Sequence, residues 1–296
     1  MTDNTEKISD MQLCRQMIDE RLHEQLVEAG TNYATLVESM RYSLLAGGKR
    51  TRAVICIKFC EAVGGRAEDA LDAACAVEML HTYTLIHDDL PIMDGDELRR
   101  GIPSNHIEYG EFTATLAGDA LQAAAFETLT NSPISSEAVV EMVRTLAQAA
   151  GPHGICGGQY LDLSGEGWQL TIDELLELYS MKTASLIAAA AKMGVIAGYG
   201  TKSQIEIAHQ YATSIGLAFQ IRDDVLDCTA TEEELGKPIG SDEENDKTTF
   251  VSLLGAHACE KMIKKETEKA IKAIEGKFAN TEFLTWLAHT LANRTK

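Results

Sequence analysis

Apolar residues recur every three or four positions along almost the whole chain, the signature of helices packed by one face. From Met11 to about Ala29, Leu13, Met17, Leu22, Leu26 and Val27 fall near helical spacing. Tyr33 to Ala46 continues the pattern and stops at Gly47-Gly48, a helix-ending pair. Ala53 to Val63 is followed by Gly64-Gly65, and Ala67 to about Asp89 runs into Pro91. Residues 91 to about 110 carry two prolines, three glycines and several charges, so a loop is expected there. Thr113–Thr130, Ser135–Ala150 and about Cys156 to Leu163 read as further helices. Ile172 to about Ala197 is long, apolar and rich in small residues, as a central helix crossed by others would be. Ser203–Asp227 follows, then an acidic segment 229–247 with Gly236, Pro238 and Gly240 that reads as a loop. Helices at about 248–275 and 281–293 close the chain. No convincing strand or Asn-Gly hairpin signal is present, and no linker divides the chain. The expectation is all-α: a single domain, residues 1–296, of about ten helices, with 1–10 as a loose tail. A helix of about 25 residues spans about 37 Å, long enough for an elongated bundle with a deep central cavity.

Composition narrows the function. The chain has 296 residues, 26 Lys+Arg and 45 Asp+Glu, a formal net charge of −19 and a pI near 4.8. Such a surface argues against nucleic acid or an anionic membrane as the main partner. Any anionic substrate needs locally placed cations. No stretch approaches the length of a membrane span, and the polar start Met1-Thr2-Asp3-Asn4 does not resemble a signal or transit peptide. The seven cysteines are odd in number and lack a C-x-x-C pair, which suits reduced thiols in a cytoplasmic protein.

Candidate chemistry lies in two acidic clusters. One is Leu85-Ile86-His87-Asp88-Asp89-Leu90-Pro91-Ile92-Met93-Asp94; the other is Phe219-Gln220-Ile221-Arg222-Asp223-Asp224-Val225-Leu226-Asp227. Asp223 and Asp227 are i, i+4, with Gln220 one turn earlier on that face. Asp88 and Asp94 are six apart across Pro91 and converge only if the chain bends. Clustered carboxylates repel unless cations neutralise them. Mg²⁺ takes carboxylate oxygens while keeping waters and phosphate oxygens. Two such clusters suit two or three Mg²⁺ around one diphosphate, with Mn²⁺ as an alternative. For either cluster alone, a solvated acidic helix end is the competing explanation.

Taken with their surroundings, these clusters resemble the two aspartate-rich motifs of short-chain trans-isoprenyl diphosphate synthases. The first has the two-residue-insertion form and is followed by Leu98-Arg99-Arg100-Gly101. Gly47-Gly48-Lys49-Arg50, Gly157-Gly158-Gln159 with Asp162, Lys182-Thr183, Phe219-Gln220, Gly236-Lys237 and Asp246-Lys247 occur in the family order, over roughly residues 40 to 255. Departures are Ala53, where the family usually has Pro, and the acidic pair Glu243-Glu244. The resemblance implies the isoprenoid synthase fold, a homodimer, and Mg²⁺-dependent head-to-tail condensation of isopentenyl diphosphate with an allylic diphosphate.

Residue by residue, the resemblance implies that Gly48, Lys49, Arg52 and His81 serve isopentenyl diphosphate. His81 and Asp88 are seven apart, two turns, hence on one helix face. Arg100 is implied for isopentenyl diphosphate and Arg99 for the allylic diphosphate. Asp88, Asp94 and Asp223 are the implied direct metal ligands, with Asp89, Asp224 and Asp227 in support. Lys182, Lys237 and, less directly, Lys247 neutralise the leaving diphosphate. Thr183 and Gln220 turn oxygen dipoles toward a developing cation, and Gln159 and Asp162 lie near metal-bound water. Asp119 resembles a family position of structural rather than chemical role.

Three other readings compete. A class I terpene cyclase shares the fold but would leave Lys49, Arg52 and His81 without a second diphosphate. A non-catalytic regulatory subunit is expected to have lost one cluster. An acidic helical interaction protein would form no prenyl product at all. For product length, Thr84 lies one turn below Asp88 on the same face, whereas Tyr83 is rotated away from it. The resemblance, rather than periodicity, points to Tyr83 as the plug. An aromatic residue five before the first aspartate, with the insertion Pro91-Ile92, resembles the bacterial farnesyl type, with geranylgeranyl diphosphate as the alternative product.

Overall fold

The computed structural model describes residues 2–26, 32–165, 167–229 and 247–294. Lys237, Gly236, Asp246 and Glu243-Glu244 lie outside them, as does most of the expected acidic loop. The expected all-α class holds. The helices are α1 (Thr2–Gln25), α2 (Ala34–Leu44), α3 (Thr51–Ala62), α4 (Leu71–Asp88), α5 (Asn105–Tyr109), α6 (Glu111–Thr130), α7 (Ser136–Ala150), α8 (Ile155–Ser164), α9 (Ile172–Tyr179), α10 (Ser185–Ala197), α11 (Lys202–Thr229), α12 (Phe250–Leu254), α13 (Ala256–Ile274) and α14 (Glu282–Ala292). Fourteen helices are thus found among the described residues, against about ten expected. Two of these, α5 and α12, are single five-residue turns. Within the domain expected from the sequence, the backbone gathers into two compact units: Met1–Arg144 with Met193–Gly200, and Thr145–Lys192 with Thr201–Lys296.

In the first unit, residues expected to trail loosely are helical from Thr2. That segment is the first part of α1, whose Ile18 and Leu22, one turn apart, are fully buried further on, and Lys58 of α3 reaches its Asp10 at 2.5 Å. Helix α4 is buried on most sides, which explains its almost unbroken apolar run. It packs on α3 and α6. Gly118 of α6 allows the closest approach, because a Cβ there would strike the His87 ring. The loop after Pro91 contains a small hairpin that the sequence does not signal. β1 (Leu98–Arg99) pairs antiparallel with β2 (Ile102–Pro103). Its central residues Arg100 and Gly101 have φ of 56° and 81°, as a type I′ turn requires.

In the second unit, the long apolar segment expected over Ile172–Ala197 is interrupted by a π-helical turn at Ser180–Ala184. Such turns are rare and concentrate at functional sites. Helix α11 packs along α13 and against the π-turn, where Gly216 accepts Ala184 so closely that a Cβ would lie 2.7 Å from the alanine methyl. The helix expected at 248–275 divides at Gly255, whose φ is 77°. Leu175, Leu178, Tyr179, Ile221, Val225 and Phe250 form the apolar core beneath this region. Among the described residues, no helix is long and apolar enough to cross a membrane.

Candidate active site

In the first unit, α4 stops at Asp88 ahead of Pro91, which cannot continue it. The chain then bends back as the sequence requires. The Asp94 N–H donates to the Asp88 carbonyl at 2.9 Å, and Gly95, at φ 70°, donates to Leu90 at 3.1 Å. Asp94 is exposed and Asp88 half-buried. Asp89, one residue on, is rotated into the protein. Its carboxylate accepts hydrogen bonds from Arg99 Nε at 2.9 Å and from Arg99 Nη2. Burial raises the Asp89 carboxyl above its ordinary range, and Arg99 opposes that rise. Arg99 also pairs with Asp96 at 2.8 Å.

Basic groups assemble at the start of α3. Arg52 Nη1 lies 3.4 Å from His81 Nε2. Burial, reinforced by the charge of Arg52 and then of Arg100, Arg50 and Arg99, holds His81 well below its ordinary value. The ring is therefore neutral near pH 7, and its Nε2 accepts from the guanidinium. Among the described residues, Arg52 Nε is buried without a hydrogen-bond partner. Gly48, at φ 128°, leaves room for the Arg100 guanidinium, which a Cβ would meet at 3.0 Å; Arg100 Nη1 donates to the Gly47 carbonyl. Lys49 is exposed at the edge of this group.

Deeper on α4, Tyr83 is buried, with its ring edge-on to His87 at 5.6 Å. Thr84 is also buried, and its hydroxyl donates to the His81 carbonyl at 2.8 Å.

The second unit builds a separate pocket. A cavity of about 140 Å³ is lined by Asp162, Lys182, Thr183, Gln220, Asp224 and Lys247 together with apolar residues. Lys182 and Thr183 sit on the π-turn, which presents both toward the cavity. Gly158 of α8 lies so close that a Cβ would be 2.6 Å from Lys182 Cα. Thr183 Oγ1 donates to Gln220 Oε1 at 2.9 Å. Asp162 Oδ2 accepts from Lys182 at 2.5 Å and from Lys247 at 3.4 Å. Gln159 is buried with both atoms of its side-chain amide unpartnered.

The second aspartate cluster divides as the first does. Asp224 is buried; Tyr179 Oη lies 3.0 Å from each of its oxygens, and the Phe250 N–H donates to it at 2.9 Å. Asp223 is half-buried and ion-paired to Arg294, whose guanidinium stacks 3.8 Å above the Phe219 ring. Asp227, one turn beyond Asp223, is buried. Tyr179 and Arg294 were not legible as site residues, because each meets its aspartate across more than forty positions of chain with no spacing signal.

Among the described residues, no three carboxylate, imidazole or thiol groups gather into a ready-made metal cage. The residues nonetheless fit divalent cations. Hard oxygen donors stand beside cationic pockets, and the buried, unpartnered Arg52 Nε and Gln159 amide are groups that an anion and its water shell would satisfy. Mg²⁺ characteristically completes its sphere with waters and substrate phosphate rather than with an all-protein cage.

An all-α scaffold with an aspartate pair and a cationic group in each unit fits a prenyltransferase of the short-chain prenyl diphosphate synthase type, and comparison with known proteins shows that class. The polyprenyl synthetase family model matches residues 33–287, and the chain belongs to that family. It is 44% identical, over 88% of its length and 70% of the relative's, to heterodimeric geranylgeranyl pyrophosphate synthase large subunit 2 of Arabidopsis thaliana. It is 47% identical to the chloroplastic geranylgeranyl pyrophosphate synthase of Capsicum annuum, over 81% of this chain and 66% of that one. Among solved structures, an FPP/GFPP synthase from Zymomonas mobilis superimposes with a TM-score of 0.88 at 33% identity, covering 97% of this chain and 99% of that one.

Proposed function

We propose that the protein condenses isopentenyl diphosphate head-to-tail with dimethylallyl or geranyl diphosphate, with divalent metal, and that its main product is farnesyl diphosphate. The observation that carries this reading is that each unit builds a cationic group of its own, Arg52 with Arg100 near the start of α3 and Lys182 with Lys247 on Asp162. One diphosphate needs one such group; a two-substrate condensation needs two.

In this reading Lys49, Arg52 and Arg100 bind the isopentenyl diphosphate. Neutral His81 fixes the Arg52 fork without competing for the anion. Lys182 and Lys247 draw charge from the departing allylic diphosphate, a term that Lys237 would augment, and Arg99 stands at the first cluster held by Asp89 and Asp96. Asp88, Asp94 and Asp223 would hold the cations, with Asp89, Asp224 and Asp227 in support: Asp89 is tied to Arg99, and Asp224 to Tyr179 and the Phe250 N–H. Mg²⁺, or Mn²⁺, supplies neutralisation of the diphosphate charge when bound. Thr183 and Gln220 orient oxygen dipoles toward the allylic cation. Apolar walls keep water from quenching it. With no side-chain base assigned, the released diphosphate is the proton acceptor.

Geranylgeranyl diphosphate is the second reading, favoured by the names of the plant relatives. Tyr83 favours the shorter product. Incubation with isopentenyl diphosphate and each of dimethylallyl, geranyl and farnesyl diphosphate, followed by sizing of the dephosphorylated chains, decides between them. Formation of no linear prenyl product would overturn the whole reading in favour of a cyclase, a regulatory subunit or an interaction protein.

A homodimer is part of the proposal. Phe112 and Leu116, one turn apart on α6, are 77% and 50% exposed, an apolar stripe suited to a second copy. The word "heterodimeric" in a relative's name makes an unlike partner the alternative outcome of a sedimentation experiment. Five of the seven cysteines are buried, and a reducing compartment such as the cytoplasm is part of the proposal.

A further inference from the structure

A buried carboxylate stands inside the basic group at the start of α3. Glu78 of α4 is 2% exposed, three residues before His81. Its Oε2 lies 3.2 Å from Arg50 Nη1, and its Oε1 is 3.4 Å from the Ala53 N–H at the first turn of α3. Arg50, the residue preceding α3, has a left-handed backbone at φ 49° and provides no side-chain cap. Glu78 thus supplies from α4 the negative end that this helix start lacks. Arg50 itself is 3% exposed, and its other donors reach Asp19 at 2.9 Å and the Leu44 carbonyl at 2.7 Å. Burial lowers both Arg52 and Arg100, and the field of Glu78 opposes that fall; burial and then the arginines of the group disfavour a charge on His81. Arg50, Arg52 and Arg100 gather at one helix start, and the mutual repulsion of such charges is costly where water is scarce.

We propose that Glu78 is a positioning residue, an internal counter-anion that keeps the basic pocket assembled while no diphosphate occupies it and that weakens the pocket's hold on the diphosphate. The inference rests on the reading of this pocket as the isopentenyl diphosphate site. It also has a use in that reaction. Head-to-tail condensation leaves the elongated product carrying the diphosphate of the isopentenyl unit, which must then leave this pocket. A fixed carboxylate that pairs with Arg50 and whose field offsets part of the charge of Arg52 and Arg100 makes that departure easier.

The test is calorimetric binding of inorganic pyrophosphate, with chelator present so that no metal bridges it to the aspartates, together with thermal melting with and without pyrophosphate. Glu78→Gln keeps the shape and removes the charge; Glu78→Asp keeps the charge and changes the shape. Glu78→Gln should melt lower in anion-free buffer, gain more from pyrophosphate than wild type does, and bind it about fivefold or more tighter, since each tenfold in affinity reflects only a modest Coulombic change. Its KM for isopentenyl diphosphate should fall while that for geranyl diphosphate stays. Glu78→Asp should bind pyrophosphate as wild type does. A Glu78→Gln response equal to or weaker than wild type, or Glu78→Asp shifting as far as Glu78→Gln, overturns the counter-anion role. If Glu78→Gln yields no folded protein, Glu78→Asp decides alone: wild-type affinity supports the role, and altered affinity overturns it. Arg52→Gln separates the two claims. If it binds pyrophosphate as wild type does, the pocket is not the anion site and the underlying reading falls; if it loses binding, that reading stands whatever Glu78 does.

Discussion

Lys182 Nζ lies 2.5 Å from Asp162 Oδ2, the same oxygen that accepts from Lys247 at 3.4 Å. One carboxylate therefore holds together the two lysines that line the cavity of the second unit. Burial raises the Asp162 carboxyl, but Lys182 and then Lys247 outweigh it and hold it below its ordinary 3.8.

The pH dependence of stability follows from that pairing. A carboxyl depressed by folding contributes stability that is fully present above its unfolded value and lost as pH falls through the folded one. Asp162→Asn should melt below wild type at neutral pH. The gap should narrow once pH drops below the ordinary 3.8 and toward the folded value. A gap that stays constant from neutral to acid pH would mean that the two lysines do not depend on this charge.

Backbone proximity gives a second expectation. Gly158 lies against the π-turn that carries Lys182, and a Cβ there would sit 2.6 Å from Lys182 Cα. Because the obstruction is backbone, it cannot be relieved by a rotamer change. Gly158→Ala should cost about 1–3 kcal/mol, the range for overpacking, and should lower turnover by displacing Lys182. Denaturant melts and steady-state rates on the same preparation check both.

Catalysis should require both aspartate clusters. Asp88→Ala and Asp223→Ala should each lower turnover by at least about 10²-fold, about 2.7 kcal/mol of barrier. Asp223→Ala also removes the partner of Arg294, so a melting curve must accompany its rate. Near-normal turnover in either variant at saturating Mg²⁺ would remove that cluster from the reaction.

The two diphosphates should separate in the kinetics. Lys49→Ala should raise the KM for isopentenyl diphosphate far more than that for geranyl diphosphate, because Lys49 stands with Arg52 and His81 at the start of α3. Equal effects on both substrates, or an effect on the allylic one alone, would reverse the assignment.

The fold was legible wherever one face of a helix is apolar, and much of the site was legible as residue types in order. What escaped the sequence has physical causes. The hairpin at 98–103 turns on Arg100-Gly101, a pair without the usual turn signature, because a non-glycine residue occupies a left-handed position there. The tail at 1–10 escaped because it simply continues α1, and its tie to the body, Asp10 with Lys58, spans 48 positions of chain. The unequal placement of Asp88 and Asp89, or of Asp223 and Asp224, follows from the 100° rotation per residue of a helix. That rotation was available from spacing; which member turns inward depended on Arg99 in one case and on Tyr179 and the Phe250 N–H in the other. Glu78 read as one more residue on a long helix, since nothing in its spacing marks a buried carboxylate that meets Arg50 and the start of α3.

Product length should answer to Tyr83. Its ring is 5% exposed and fixed edge-on against His87, whose Nε2 in turn lies 3.0 Å from the Thr115 carbonyl of α6. A buried ring packed against a histidine that is itself fixed to α6 is a rigid stop rather than a mobile one. Helical rotation turns it away from the direction of Asp88, so its effect on chain length rests on volume: a tail growing past α4 meets a filled space between α4 and α6. Tyr83→Ala empties that space and should lengthen the product from fifteen carbons toward twenty. Truncating a buried aromatic costs about 3–5 kcal/mol, so product sizing belongs at a temperature where circular dichroism shows the variant folded. Thr84 lies on the Asp88 face one turn down, and Thr84→Phe should shorten the product toward ten carbons. Chromatography of dephosphorylated products from labelled isopentenyl diphosphate reads both. A wild type that already makes mainly the twenty-carbon chain, or a folded Tyr83→Ala whose product is unchanged, would place the stop elsewhere and return Tyr83 to a packing role.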